Sequence, residues 1–150
     1  MAVAPAQART TLSLQRTFQA SRQRVFEAWI DSELLARWLT PPGGSSSNAE
    51  IDLRVGGRWS ITMKPPLWPS GRAFGTYLEV DPPKRLVFTI AWERIPNGPE
   101  SVVSVDFAEL DGATRVTLVQ ERLETRRGRW GHGRGWRHSL ARLREMIDSG

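Results

Sequence analysis

In RWGHGRGWRHSLARL, residues 129–143, Gly131, Gly133 and Gly135 alternate with basic and aromatic residues just before a helical pattern. Three readings compete: a phosphate cradle, a nucleic-acid-binding edge, or the approach to a packed helix. The cradle fails on context, because a dinucleotide fingerprint needs its glycines at GxGxxG spacing, a strand before them and a βαβ unit around them. Beyond the glycines, Trp136, Leu140, Leu143 and Ile147 recur at intervals of four, three and four. That is one apolar stripe of a C-terminal helix, expected over 133–148, with the glycines letting the preceding loop bend sharply. Burying the Trp136 ring removes about 150–250 Å² from water, worth on the order of 4–6 kcal/mol as an upper bound.

A single helix of this kind needs a surface to cover. Residues 11–18 place Leu12, Leu14, Arg16 and Phe18 at alternating positions, an opening strand. Ser21 reads as an N-cap for a helix carrying Val25, Phe26, Trp29 and Ile30, and Ser32 begins a second short helix with Leu34, Leu35, Trp38 and Leu39. Pro41-Pro42 ends it. GGSSSN (43–48) reads as a flexible loop, after which Ile51, Leu53 and Val55 lead through Gly56-Gly57 into Trp59, Ile61 and Met63, alternating with Arg58, Ser60 and Thr62. Three prolines in 64–71 keep Trp68 on a loop. Strands follow over 72–80, 85–92, 101–107 and 114–120, with hairpin dipeptides at Asn97-Gly98 and Asp111-Gly112.

The order is β-α-α-β6-α, an α+β domain in which a bent antiparallel sheet wraps around the C-terminal helix. A chain of 150 residues suits one such domain, able to bury roughly 68–70% of its unfolded surface. The expected division is a disordered tail over 1–9 and a single domain over 10–150.

Composition narrows the chemistry. With no cysteine, disulfides, thiolate metal sites and a cysteine nucleophile are excluded. No secretory leader and no 18-residue apolar run is visible, so a cytoplasmic protein without membrane insertion is expected. The formal charge is +5, but only Lys64 and Lys84 are lysines, and an arginine bias spread along the whole chain is what a GC-rich genome produces. The basic stretch of Arg122, Arg126, Arg127, Arg129, Arg134 and Arg137, interleaved with Trp130, is therefore read as a solvated loop and not as a specific nucleic-acid site.

Several segments together carry a family resemblance: FQASRQRVFEAWIDSELLARWLTPP, DLRVGGRWSITM, GTYLEVDPPKRLVFTIAW, TRVTLVQE and HGRGWRHSLARL, in this order over about 11–148. They resemble the Hsp90-ATPase-activator-homologue branch of the START-like (SRPBCC) superfamily. The resemblance implies the helix-grip (START-like, Bet v 1-like) fold and a hydrophobic cavity beneath the last helix. In the eukaryotic co-chaperone of that branch a separate N-terminal domain contacts the chaperone. No such region is present in this sequence, so chaperone activation ranks behind ligand binding.

Catalytic patterns are sparse. His132 and His138 lie about 240° apart around a helix and cannot share a face as metal ligands. Glu121 and Glu124 read as solvated loop charges. No nucleophile, base and orienting group stand in recognisable relation, and no cofactor is expected. The leading expectation is a small-molecule binding cavity lined by Trp59, Met63, Phe74, Phe88 and Trp92, closed by Trp136, Ser139 and Leu140 from the helix, with Trp68 at its mouth. The alternatives are a cyclase- or aromatase-like enzyme using inward polar groups such as Arg72, Gln120 and Ser139, and a regulator that binds Hsp90 or another protein partner.

Overall fold

The computed structural model describes residues 11–94, 100–123 and 126–149, with side chains of 126–130 excepted. The tail over 1–9, the Asn97-Gly98 turn, Glu124 and the side chains of Arg126, Arg127, Arg129 and Trp130 lie outside the described residues.

Strand β1 (Leu12–Phe18) is followed by helices α1 (Arg22–Ile30) and α2 (Ser32–Trp38), then by β2 (Ser45–Ile51), β3 (Arg58–Lys64), β4 (Gly71–Asp81), β5 (Arg85–Trp92), β6 (Ser101–Glu109) and β7 (Thr114–Glu121), and finally by α3 (Arg126–Ser149). Each strand pairs antiparallel with its neighbours in the order β1-β7-β6-β5-β4-β3-β2. The two short helices start where their caps allow. Ser21 Oγ accepts from the Arg24 amide at 3.2 Å and Asp31 Oδ1 from the Leu34 amide at 3.1 Å, each satisfying a donor that the helix leaves open. Gly112 takes the left-handed φ of 75° that the β6–β7 turn requires.

Two local readings are corrected. The serine-rich segment read as a loop is the edge strand β2, pairing Ser45 with Lys64, Ser46 with Met63 and Ser47 with Thr62. Its polar side chains fit a strand with one neighbour and an outer edge facing solvent. The second correction concerns the start of the last helix, expected at 133: α3 begins at Arg126, so Gly131, read as part of a bending loop, lies inside the helix with Gly133 and Gly135. Each costs about 1 kcal/mol against alanine in a helix interior, and packing offsets that cost. Gly133 is buried, and a Cβ there would stand 3.4 Å from Leu12 Cδ1 on β1.

Gly131 and Gly135 have nothing within 4 Å of where a Cβ would sit, so neither glycine is needed for close approach. Replacing both with alanine is expected to stabilise the fold by about 1–2 kcal/mol in total, and by the same reasoning Gly135→Val does no harm through crowding. Urea unfolding midpoints check this, and a lowered midpoint for the double alanine variant would contradict the helical placement.

The core lies between the inner face of the sheet and the three helices. Phe26 meets Phe107 edge-on at 5.1 Å, Trp29 meets Trp38 edge-on at 4.6 Å, and Trp29 stacks on Trp136 with ring centres 6.0 Å apart. Among the described residues, Trp29, Trp38, Trp59 and Trp136 are the tryptophans buried there.

Candidate functional site in the sheet–helix interior

Register decides which side chains face the helix. Trp59 opposes Gly75, Ile61 opposes Ala73, Ala73 opposes Trp92, Tyr77 opposes Phe88, and Phe88 opposes Val103. Directly opposed residues share a face, so Trp59, Ile61, Met63, Tyr77, Phe88, Ile90 and Trp92 form one inner wall. Phe74 opposes Ser60 and Ala91 and therefore lies on the outer face, which corrects its expected place in the wall. Arg72, opposite Thr62, is on that outer face too and does not project inward.

Small residues on β4 make this wall possible. The Trp59 indole crosses Gly75 to donate from Nε1 to the Thr89 carbonyl at 3.0 Å. A Cβ on Gly71 would meet the Trp92 ring at 3.1 Å. Trp59 also meets Phe88 edge-on at 5.5 Å. Trp59 and Phe88 are buried, whereas Met63, Ile90 and Trp92 are only half-buried, so this end of the inner wall is incompletely covered.

A buried polar cluster stands at the same end of the sheet. Gln120, on β7 and 0% exposed, accepts from Trp136 Nε1 at 2.8 Å through Oε1. Its Nε2 donates to Ser101 Oγ at 2.7 Å and meets His132 Nδ1 at 3.2 Å. An amide nitrogen only donates, so Nδ1 accepts and the neutral ring carries its proton on Nε2. Burial pushes the His132 pKa below its ordinary 6.5. Sequence patterns do not bring this cluster together: they mark Gln120 as an inward polar group without its partners, and exclude His132 and His138 as a shared metal site without assigning His132 a partner. A glutamine in phase with the apolar positions Val116 and Leu118 of β7 was the available signal.

The depressed pKa has a definite consequence for stability. Above pH 6.5 both folded and unfolded His132 are neutral, and its contribution is complete. As pH falls below that value the unfolded chain takes up a proton that the folded chain refuses, so stability declines until the folded pKa is reached and then levels off. Urea midpoints measured from about pH 8 to about pH 5 are expected to fall more in the native sequence than in His132→Asn. Equal pH dependence in the two proteins would contradict the burial of this ring.

The remaining expected positions divide. Leu140 is buried on the stripe that α3 turns to the core. Ser139 is corrected: its Oγ donates to the Thr40 carbonyl at 3.0 Å, so the hydroxyl ties α3 to the end of α2. His138 Nε2 stands 3.4 Å from Thr40 Oγ1 at the same joint. Trp68 is 70% exposed on the β3–β4 loop. Glu121, Arg122, Arg134 and Arg137 are exposed. An open polar cleft of about 380 Å³ lies elsewhere, between α2, the start of β2 and the last turns of α3, lined in part by Arg37, Ser45, Arg142 and Glu145. Among the described residues no group of three or more His, Asp or Glu is placed to hold a metal ion, and no helix is long and apolar enough to cross a membrane.

An antiparallel sheet closed against one long C-terminal helix, with two short helices after the first strand, defines the helix-grip class of α+β proteins. The family model for Activator of Hsp90 ATPase homolog 1-like protein matches residues 19–148, and the chain belongs to that family. No curated protein matches the chain. Among solved structures, protein CV1439 from Chromobacterium violaceum is 26% identical, with a TM-score of 0.84 over 93% of this chain and 97% of its own. Protein NE0264 from Nitrosomonas europaea is 26% identical, with a TM-score of 0.82 over 95% and 96%. PFC0360w from Plasmodium falciparum, described as an HSP90 activator, is 18% identical, with a TM-score of 0.71 over 93% and 96%, a likeness of fold.

Proposed function

We propose that the protein binds a small hydrophobic molecule between the inner wall of the sheet and the first turns of α3. The observation that carries this reading is the pairing of half-buried inner-face side chains, Met63, Ile90 and Trp92, with the Gln120–Ser101–His132 cluster at one end of the sheet. Apolar surface contributes contact area, and a few placed polar groups fix orientation. Gln120 spends its hydrogen bonds on Trp136, Ser101 and His132, and these partners then hold their own polar atoms in set directions. Nothing in this arrangement supplies an activated nucleophile, so binding without conversion is favoured over a cyclase- or aromatase-like reaction.

Titration with a hydrophobic fluorescent probe tests the reading, because wall tryptophans respond when the probe enters. Trp92→Ala is expected to weaken probe binding about tenfold, the equivalent of roughly 1.4 kcal/mol. Val55→Ala, at a position 64% exposed, leaves it unchanged. Equal behaviour of the two variants would remove the wall from the site, and chemical conversion of a bound ligand would put the enzyme reading first.

A second reading, a protein partner of the Hsp90 type, is favoured by the family match. Stimulation of an Hsp90 ATPase by the purified chain is its test, and absence of both stimulation and a stable complex would dismiss it.

A further inference from the structure

The β3–β4 hairpin ends in a tip that contributes nothing to the core. Leu67 is 99% exposed and Trp68 is 70% exposed, adjacent in sequence and held between Pro65, Pro66 and Pro69. Leu67 takes a left-handed φ of 67°, a conformation that disfavours a side chain with a Cβ. The tip is nevertheless tied down: the Trp68 amide donates to the Pro65 carbonyl at 3.4 Å, Lys64 Nζ to the same carbonyl at 2.8 Å, and Arg94 Nε to the Ser70 carbonyl at 3.0 Å. Two large apolar groups are thus presented to solvent on a braced loop.

The charge around them has one dominant sign. Residues 64–72, KPPLWPSGR, contain Lys64 and Arg72 and no acid, and Arg94 joins them from beyond the end of β5. Glu93 is the carboxylate against this hairpin, accepting from the Arg72 amide at 2.8 Å. Glu100, just ahead of β6, and Glu121, the last residue of β7, stand at the same end of the sheet but on the far side of β5.

We propose that this tip seats the protein on an anionic membrane surface, with Leu67 and Trp68 in the interfacial layer and Lys64, Arg72 and Arg94 facing the lipid phosphates. A convex tip of two side chains is far smaller than the roughly 800 Å² per partner that a stable protein interface needs. A bilayer takes up such a tip by immersion. Tryptophan sits well at the headgroup level, and anionic lipid attracts cations just beside it. The seat is interfacial and requires no spanning segment. It is independent of the ligand reading, since docking needs only the tip. Trp92 packs against Gly71 at the base of the same loop, so a docked protein would hold the half-covered wall near the lipid.

Co-sedimentation with vesicles of phosphatidylcholine alone, or with roughly a third phosphatidylserine, tests the proposal on the full chain. The mixed vesicles are expected to bind the native protein, and added salt to weaken the binding. Leu67→Asn combined with Trp68→Ser lowers the partition coefficient at least about tenfold, while asparagine still tolerates the left-handed backbone. Lys64→Gln and Arg72→Gln each lower it about fivefold, on the mixed vesicles only. The proposal is overturned if the native protein stays in the supernatant with mixed vesicles at low salt, or if the tip variant binds them as tightly. It is equally overturned if the tip substitutions dissolve a protein complex while no vesicle binding is seen, which would assign the tip to a protein contact.

Discussion

Gly75→Ala is expected to prevent stable folding, with a loss of more than about 4 kcal/mol, at the exceptional end for a single substitution. A Cβ at this position would stand 1.8 Å from the Thr89 carbonyl oxygen, 2.6 Å from its carbon and 2.8 Å from Trp59 Nε1. Backbone atoms cannot swing aside as a flexible side-chain end can. Relief therefore requires β4 and β5 to separate, and with that the Trp59 indole gives up its hydrogen bond to the Thr89 carbonyl. This change exceeds the 1–3 kcal/mol usual for overpacking a core. Urea unfolding, or loss of soluble protein on expression, measures the effect. A shift of less than about 1 kcal/mol would mean that β4 does not run as described, and the inner wall would have to be rebuilt with it.

Trp136→Ala is expected to cost about 3–5 kcal/mol, the range for deleting a large buried aromatic. Its ring stacks on Trp29 and its indole nitrogen donates to Gln120, so both packing and a buried hydrogen bond are lost. Trp136→Phe separates the two contributions. Most of the apolar contact remains, while Gln120 Oε1 is left without its donor at a cost of about 1–3 kcal/mol. Pairing Trp136→Phe with Gln120→Leu in a double-mutant cycle should give a combined loss smaller than the sum, because the orphaned acceptor is removed along with its partner. Strict additivity would show that the hydrogen bond is not formed in solution. The same cycle bears on function, since Gln120 links the helix to Ser101 and His132.

Element order was legible in the sequence because the patterns that specify it are local. Alternation in 11–18 and 114–120, the four-three-four spacing from Trp136 to Ile147, the cap at Ser21 and the Asp111-Gly112 turn each involve residues within a few positions of one another. Those local periods imply strands, helices and antiparallel connections whatever the neighbours are. Family membership followed from the same segments read in order, and the match over 19–148 agrees with it.

Tertiary structure decided what depends on distant partners. Helix propensity argues against Gly131, Gly133 and Gly135 in a helix, yet packing beside β1 and the stacking of Trp136 on Trp29 outweigh that local cost. Serine and asparagine argue against a strand at 45–48, yet pairing with β3 makes one. The phase of β4 was the subtlest point. Phe74 is the conspicuous apolar residue in its strand, but the inward places belong to Gly71, Ala73, Gly75 and Tyr77, because the rings of Trp92 and Trp59 occupy the space that side chains at the two glycines would fill. The Gln120 cluster depends on the same kind of information: β6, β7 and α3 each contribute one part of it, and only their packing joins Ser101, Gln120, His132 and Trp136 into a single hydrogen-bonded group.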